Sequence, residues 1–114
     1  MKKQSIIQTI EQLNRLLKTC QLWSAEQPTP QQLASSEPFC VDTMTFEQWL
    51  QWVLIPKLTA VVNDPHFNGL PHRSDIHAMA TYVFEKYEQD TDDISRVIKR
   101  LDQLLNDYKQ QTIH

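Results

Sequence analysis

Read for the spacing of its apolar positions, the chain divides into amphipathic stretches separated by proline-containing connectors. Over residues 2 to 22, Ile6, Ile7, Ile10, Leu13, Leu17 and Cys20 recur at steps of three and four among Lys, Gln, Glu, Asn and Arg. That spacing predicts a first amphipathic helix. Pro28, Pro30 and Pro38 then break regular structure, although Pro30 ahead of Gln31-Gln32-Leu33-Ala34 is placed to open one short helical turn.

Thr45 reads as the cap of a second helix, with Gln48 as its reciprocal partner and Met44 and Trp49 in the positions of a hydrophobic staple. Phe46, Trp49, Leu50, Val53 and Leu54 share one face, whereas Trp52 and Ile55 do not. If the same phase ran on, Lys57 would fall in the middle of the buried face, where an unpaired ammonium is expensive. A kink near Ile55-Pro56 is therefore expected, turning Lys57 outward and Leu58, Val61 and Val62 inward.

Residues 63 to 73, with Pro65, Gly69 and Pro71, form a loop. Ser74 or Asp75 is then placed to cap a third helix with an Ile76, Met79, Ala80, Val83, Phe84, Tyr87 stripe. A fourth follows Thr91, with Asp92 and Asp93 in its first turn and Ile94, Val97, Ile98, Leu101, Leu104, Leu105 and Tyr108 along one side. The pattern predicts an all-α fold, a four-helix bundle of residues 1 to 114 as one domain. Its central helix is kinked at the proline, and its first connector holds a short helical turn.

Composition narrows the chemistry. With one glycine in 114 residues, the chain cannot build the glycine-rich loops that cradle nucleotide phosphates. Two cysteines make no disulfide framework, and reduced thiols are expected. The opening residues lack the apolar core of a signal peptide, and no apolar run reaches the ~20 residues of a membrane span. A cytoplasmic location without membrane association follows as the expectation. The net charge of −3 disfavours unaided binding to a phosphate backbone, so no DNA partner is expected.

Trp23 with Pro28 and Pro30, Ser36 to Phe39, Asp42-Thr43-Met44, the run from Trp49 to Lys57 and Leu70-Pro71 together resemble the YqcC-like family of small bacterial proteins. The likeness is strongest from Pro38 to Leu58, and Lys57 stands where that family frequently has arginine. The resemblance implies an all-helical domain and an association, through neighbouring genes and transferred names, with tRNA pseudouridine synthase C. It does not imply catalysis.

His72-Arg73-Ser74-Asp75 is similar to the short stretch around the catalytic aspartate of the pseudouridine synthases, but those enzymes are far longer and build a sheet-lined cleft. Ordinary capping chemistry accounts for the same residues. His66, His72 and His77 lack the spacing of a helical zinc site, and no metal or cofactor is expected. Asp42, ahead of the second helix, suits loop bracing or a partner contact. Trp52 and Ile55 either meet a neighbouring helix or form an exposed patch of the kind that marks an interaction site.

The reading that results is a non-enzymatic interaction module, an accessory to tRNA modification, with Asp42, Trp52, Ile55 and Lys57 as candidate partner-binding residues. The expected partner is a protein such as a tRNA-modifying enzyme, and a homo-oligomer stays open. The alternative is a small RNA-binding accessory protein contacting tRNA directly; a third reading is an enzyme using Asp42 or Asp75.

Overall fold

The computed structural model describes residues 2 to 111, with side chains described for residues 2 to 108. Its elements run α1 (Lys2–Thr19), α2 (Pro30–Leu33), a 3₁₀ turn (Pro38–Cys40), α3 (Phe46–Trp49), a π-helical turn (Leu50–Leu54), α4 (Ile55–Asn63), α5 (Ile76–Phe84) and α6 (Asp92–Gln111). The all-α expectation holds. The long helices α1 and α6 lie side by side; α5 packs on α6 and α4 on α1.

Three helix ends, the close of α1 and the starts of α2 and α3, are set by residues adjacent in sequence. α1 closes with Gln21 in the left-handed region at φ 60°, where glycine is commonest. The amide of Leu22 donates to Leu17 O and that of Gln21 to Lys18 O, at 2.9 and 3.2 Å. Leu22 thereby folds back, buried, into the cluster that holds Leu17. α2 and α3 both open with a reciprocal capping box, Thr29 with Gln32 and Thr45 with Gln48. The short turn expected at Pro30 and the cap expected at Thr45 are both present.

The phase reset demanded by Lys57 occurs immediately ahead of Pro56, through the π-turn. The amide of Ile55 donates to Leu50 O, five residues back instead of four. At about 100° per residue, Leu50 and Leu58 would otherwise sit about 80° apart around the axis. Absorbing one residue in the wider turn reduces that offset to about 20°. Pro56, which has no N–H to donate, falls in the first turn of α4. Leu58 and Val62 are buried and Lys57 is exposed, as expected, but Val61 is exposed rather than inward.

Two clusters make the core. One joins Leu13, Leu17, Phe46, Leu50, Ala80, Phe84, Ile94 and Ile98; the other joins Ile6, Ile10, Leu58, Val62, Leu101 and Leu105. Leu54 and Ile55 touch both. The π-turn thus sits at the junction of the two halves of the core.

Candidate functional site

The π-turn carries two residues whose roles differ from their appearance in the sequence. Gln51 interrupts the apolar run, yet it is 4% exposed. Its Oε1 accepts from Ser24 N at 2.8 Å and its Nε2 donates to Ser24 O at 2.7 Å. One amide therefore satisfies both backbone groups of Ser24 and fixes the first connector to the central helix, as a buried polar side chain must to escape its desolvation cost.

Trp52 is half-buried and belongs to neither core cluster. Its indole Nε1 is screened from solvent and has no acceptor among the described residues. Ile55 is half-buried against both clusters, and Pro56 and Lys57 are exposed just beyond it. These residues share one continuous helical segment. Asp42 lies elsewhere, in the turn before α3, where its carboxylate accepts from Ser35 Oγ. Thr43 and Gln32 tie the same turn to α2: Thr43 Oγ1 donates to Gln32 O at 2.8 Å and Gln32 Nε2 to Thr43 O at 3.0 Å. Among the described residues, no hydrogen bond, ion pair or ring contact joins Asp42 to Trp52, Ile55 or Lys57.

The turn from residue 38 to 45 also sets an aromatic group. Phe39 and Cys40 take φ of 59° and 51°, the left-handed region that a bulky side chain ordinarily avoids. Phe39 then meets the Trp49 ring edge-on at 4.8 Å and Phe46 at 5.9 Å. Phe84 contacts Phe46 and Tyr87 in turn. Tyr87, beyond the end of α5, donates its hydroxyl to Glu47 Oε1. Burial, then the hydrogen bond and charge of Glu47, push the Tyr87 hydroxyl well above the usual tyrosine range.

The cap of α5 differs from the expectation. Asp75 stands at the cap position but makes no side-chain capping bond, and it is exposed. Asp102 of α6 performs that task from across the interface: Oδ1 accepts from Ser74 Oγ at 2.6 Å and Ile76 N at 3.0 Å, and Oδ2 accepts from His77 N at 2.8 Å. Asn106 holds Ser74 from both sides, accepting from its amide and donating to its carbonyl. A buried carboxylate already occupies the positive end of the α5 dipole, so these amides are not open to an outside phosphate.

Sequence reasoning missed Asp102 and Asn106. The available signal was their spacing of four, each one residue beyond a stripe leucine, Leu101 or Leu105. His66 and His72 are exposed, and no group of three His, Cys, Asp or Glu side chains among the described residues is arranged to hold a metal ion. Burial, then the charges of Asp90 and Asp93, raise the Cys20 thiol above its ordinary range. No helix of the described residues is long and apolar enough to cross a membrane.

A small all-α protein is what this fold defines. Within that class, the chain belongs to the family described as tRNA pseudouridine synthase C (DUF446), whose model matches residues 5–104. It is 34% identical over 82 residues to an uncharacterized protein of Haemophilus influenzae, covering 72% of this chain and 73% of that one. It is 45% identical over 49 residues to the uncharacterized protein YqcC of Escherichia coli, 43% of this chain and 45% of its length. A protein of Pectobacterium carotovorum named tRNA pseudouridine synthase C is 32% identical over 62 residues, 54% of this chain but 16% of that protein. No solved structure gives a significant match.

Proposed function

We propose that this chain is a non-catalytic cytoplasmic module that binds a tRNA-modifying enzyme as its protein partner. Trp52 carries the reading. Its ring lies outside both core clusters and its indole N–H is buried without an acceptor. A nitrogen screened from solvent is equally closed to an incoming acceptor, so it is the accessible remainder of the half-buried side chain, not the N–H, that a partner would cover. Tryptophans at interfaces are often the residues that dominate affinity. Pro56 and Lys57 would rim the contact and Ile55 would back it; Asp42, which accepts from Ser35 Oγ in the turn before α3, is joined to none of them among the described residues.

The nature of the partner rests on the comparisons. The family bears the synthase description, and in the Pectobacterium protein of that name the similar segment occupies 16% of the length. A short similar segment within a longer protein of that name supports the reading of a module that works beside the synthase. The absence of catalysis in this chain is supported by how its polar groups are used: Asp102, Ser74 and Asn106 spend their bonding capacity holding α5 to α6.

Direct contact with tRNA is the second reading, favoured by Lys99 and Arg100, exposed beside Arg96 on α6. Affinity capture from bacterial extract, with and without nuclease, separates the two. The expected result is a tRNA-modifying enzyme retained after nuclease treatment, with no pseudouridine formed by the purified chain alone. Recovery of tRNA without a protein would favour the second reading, self-association alone would make the face a homo-oligomer contact, and turnover by the pure chain would defeat the non-catalytic one.

A further inference from the structure

We infer that the outer face of α4 pairs with the same face of a second copy of this chain, the two helices antiparallel, with Lys57 of each copy opposite Asp64 of the other. The pairing itself does not rest on the synthase reading.

Every exposed residue of α1, and of α6 as far as Tyr108, is polar or charged. α4 differs: beside Lys57 and Asn63 it exposes Pro56, Ala60 and Val61. Val61 is 39% exposed and belongs to neither core cluster, because Leu58 and Val62 take the buried side of the helix. At about 100° per residue, Lys57, Ala60, Val61 and Asp64 lie within a stripe about 100° wide on the outer side. Asp64, the C-cap, keeps a helical φ of −63°, so its Cβ follows that stripe.

A two-fold axis between Ala60 and Val61 makes the stripe self-complementary. Ala60 then faces Val61 of the second copy and Lys57 faces its Asp64, and both contacts recur across the axis. The small side chain of Ala60 lets the two helices approach closely. Among the described residues Lys57 has no hydrogen bond or ion pair. Asp64 Oδ1 accepts from His66 N at 2.8 Å, which leaves Oδ2 to meet an ammonium. Lys3 Nζ donates to the Asp64 carbonyl at 3.2 Å and not to its carboxylate. Exposed ion pairs add little affinity, but they fix direction: parallel pairing would set Lys57 against Lys57 and Asp64 against Asp64. α4 has nine residues, about 13 Å of helix, so the contact is small and the pair is expected to dissociate on dilution. On the synthase reading Lys57 serves both contacts, so self-pairing would hold the chain away from the synthase.

Sedimentation equilibrium of the full chain from about 10 μM to about 1 mM reads the pairing, and the parent is expected to pass from monomer to dimer across that range. Lys57→Asp and Asp64→Lys each place like charges in both contacts and are expected to weaken the dimer about tenfold or more. An equimolar mixture of the two variants is expected to restore it as a heterodimer, since every contact then joins Asp to Lys. Val61→Arg should weaken the dimer likewise, whereas Val41→Arg, the same charge on the exposed valine ahead of α3, should not. A parent that stays monomeric, a dimer that either reversal leaves intact, a mixture of folded variants that stays monomeric, or equal effects of the two valine variants overturns the inference. If circular dichroism shows that Asp64→Lys disturbs the turn at His66, the two valine variants decide alone. Synthase binding, measured below the dimer range, is a separate readout, so failure of the pairing leaves the partner reading in place.

Discussion

Asp102 and Asp75 show why a carboxylate's place in the fold matters more than the motif around it. Asp75 sits in the stretch that looks catalytic, yet it is exposed and caps nothing, whereas Asp102 accepts three hydrogen bonds at the start of α5. Asp102→Ala strands two backbone donors and a hydroxyl and is expected to cost about 3–5 kcal/mol by urea denaturation. Asp75→Asn is expected to stay within about 0.5 kcal/mol of the parent. Tyr87 supplies a spectroscopic counterpart. Its hydroxyl is held protonated by burial and Glu47, so its contribution to stability is full below the ordinary tyrosine value of about 10 and is lost as pH rises through the higher folded value. Alkaline titration of tyrosinate absorbance should show a delayed component that Tyr87→Phe removes. Neither pairing is readable from periodicity, because each joins residues far apart in sequence, and the same is true of the Gln51 clamp on Ser24. The Thr45 cap was legible because both its partners lie within four residues.

At the level of elements, the conflict between Leu50 and Lys57 was visible in the sequence while its resolution was not. Helical phase arithmetic shows that something must absorb about 100° between the two faces; it does not say whether a proline bend or an inserted residue does so. The chain uses the π-turn, and places Pro56 where its missing N–H does least harm. Deleting Val53, within the turn, should convert it to an ordinary α-helical turn while leaving Leu58 and Val62 facing the core. Deleting Thr59, beyond it, should rotate Val62 out of the core. The expected outcome is a folded, cooperatively melting Val53 deletion and a severely destabilised Thr59 deletion, read by circular dichroism. Equal damage from both would refute the role assigned to the π-turn.

Across the whole molecule, the stripes of α1 and α6 were enough to foresee an all-helical fold, since amphipathic helices must bury those faces against each other. They could not place Trp52, because a tryptophan has the same letters whether it packs within a core cluster or outside it. Placement outside both clusters, with an unpaired N–H, is a property of the folded chain alone. The most direct test is therefore a binding titration of the purified chain against a purified tRNA pseudouridine synthase C, without tRNA, for the parent, Trp52→Ala and Trp49→Ala, alongside unfolding free energies. Trp49 stacks on Phe46 and meets Phe39, so its loss should destabilise the fold by about 2 kcal/mol or more. Trp52→Ala should remain within about 1 kcal/mol of the parent in stability yet bind the synthase about tenfold more weakly or worse. No binding by the parent chain, or a Trp52→Ala variant that unfolds as readily as Trp49→Ala and binds unchanged while folded, would contradict the account.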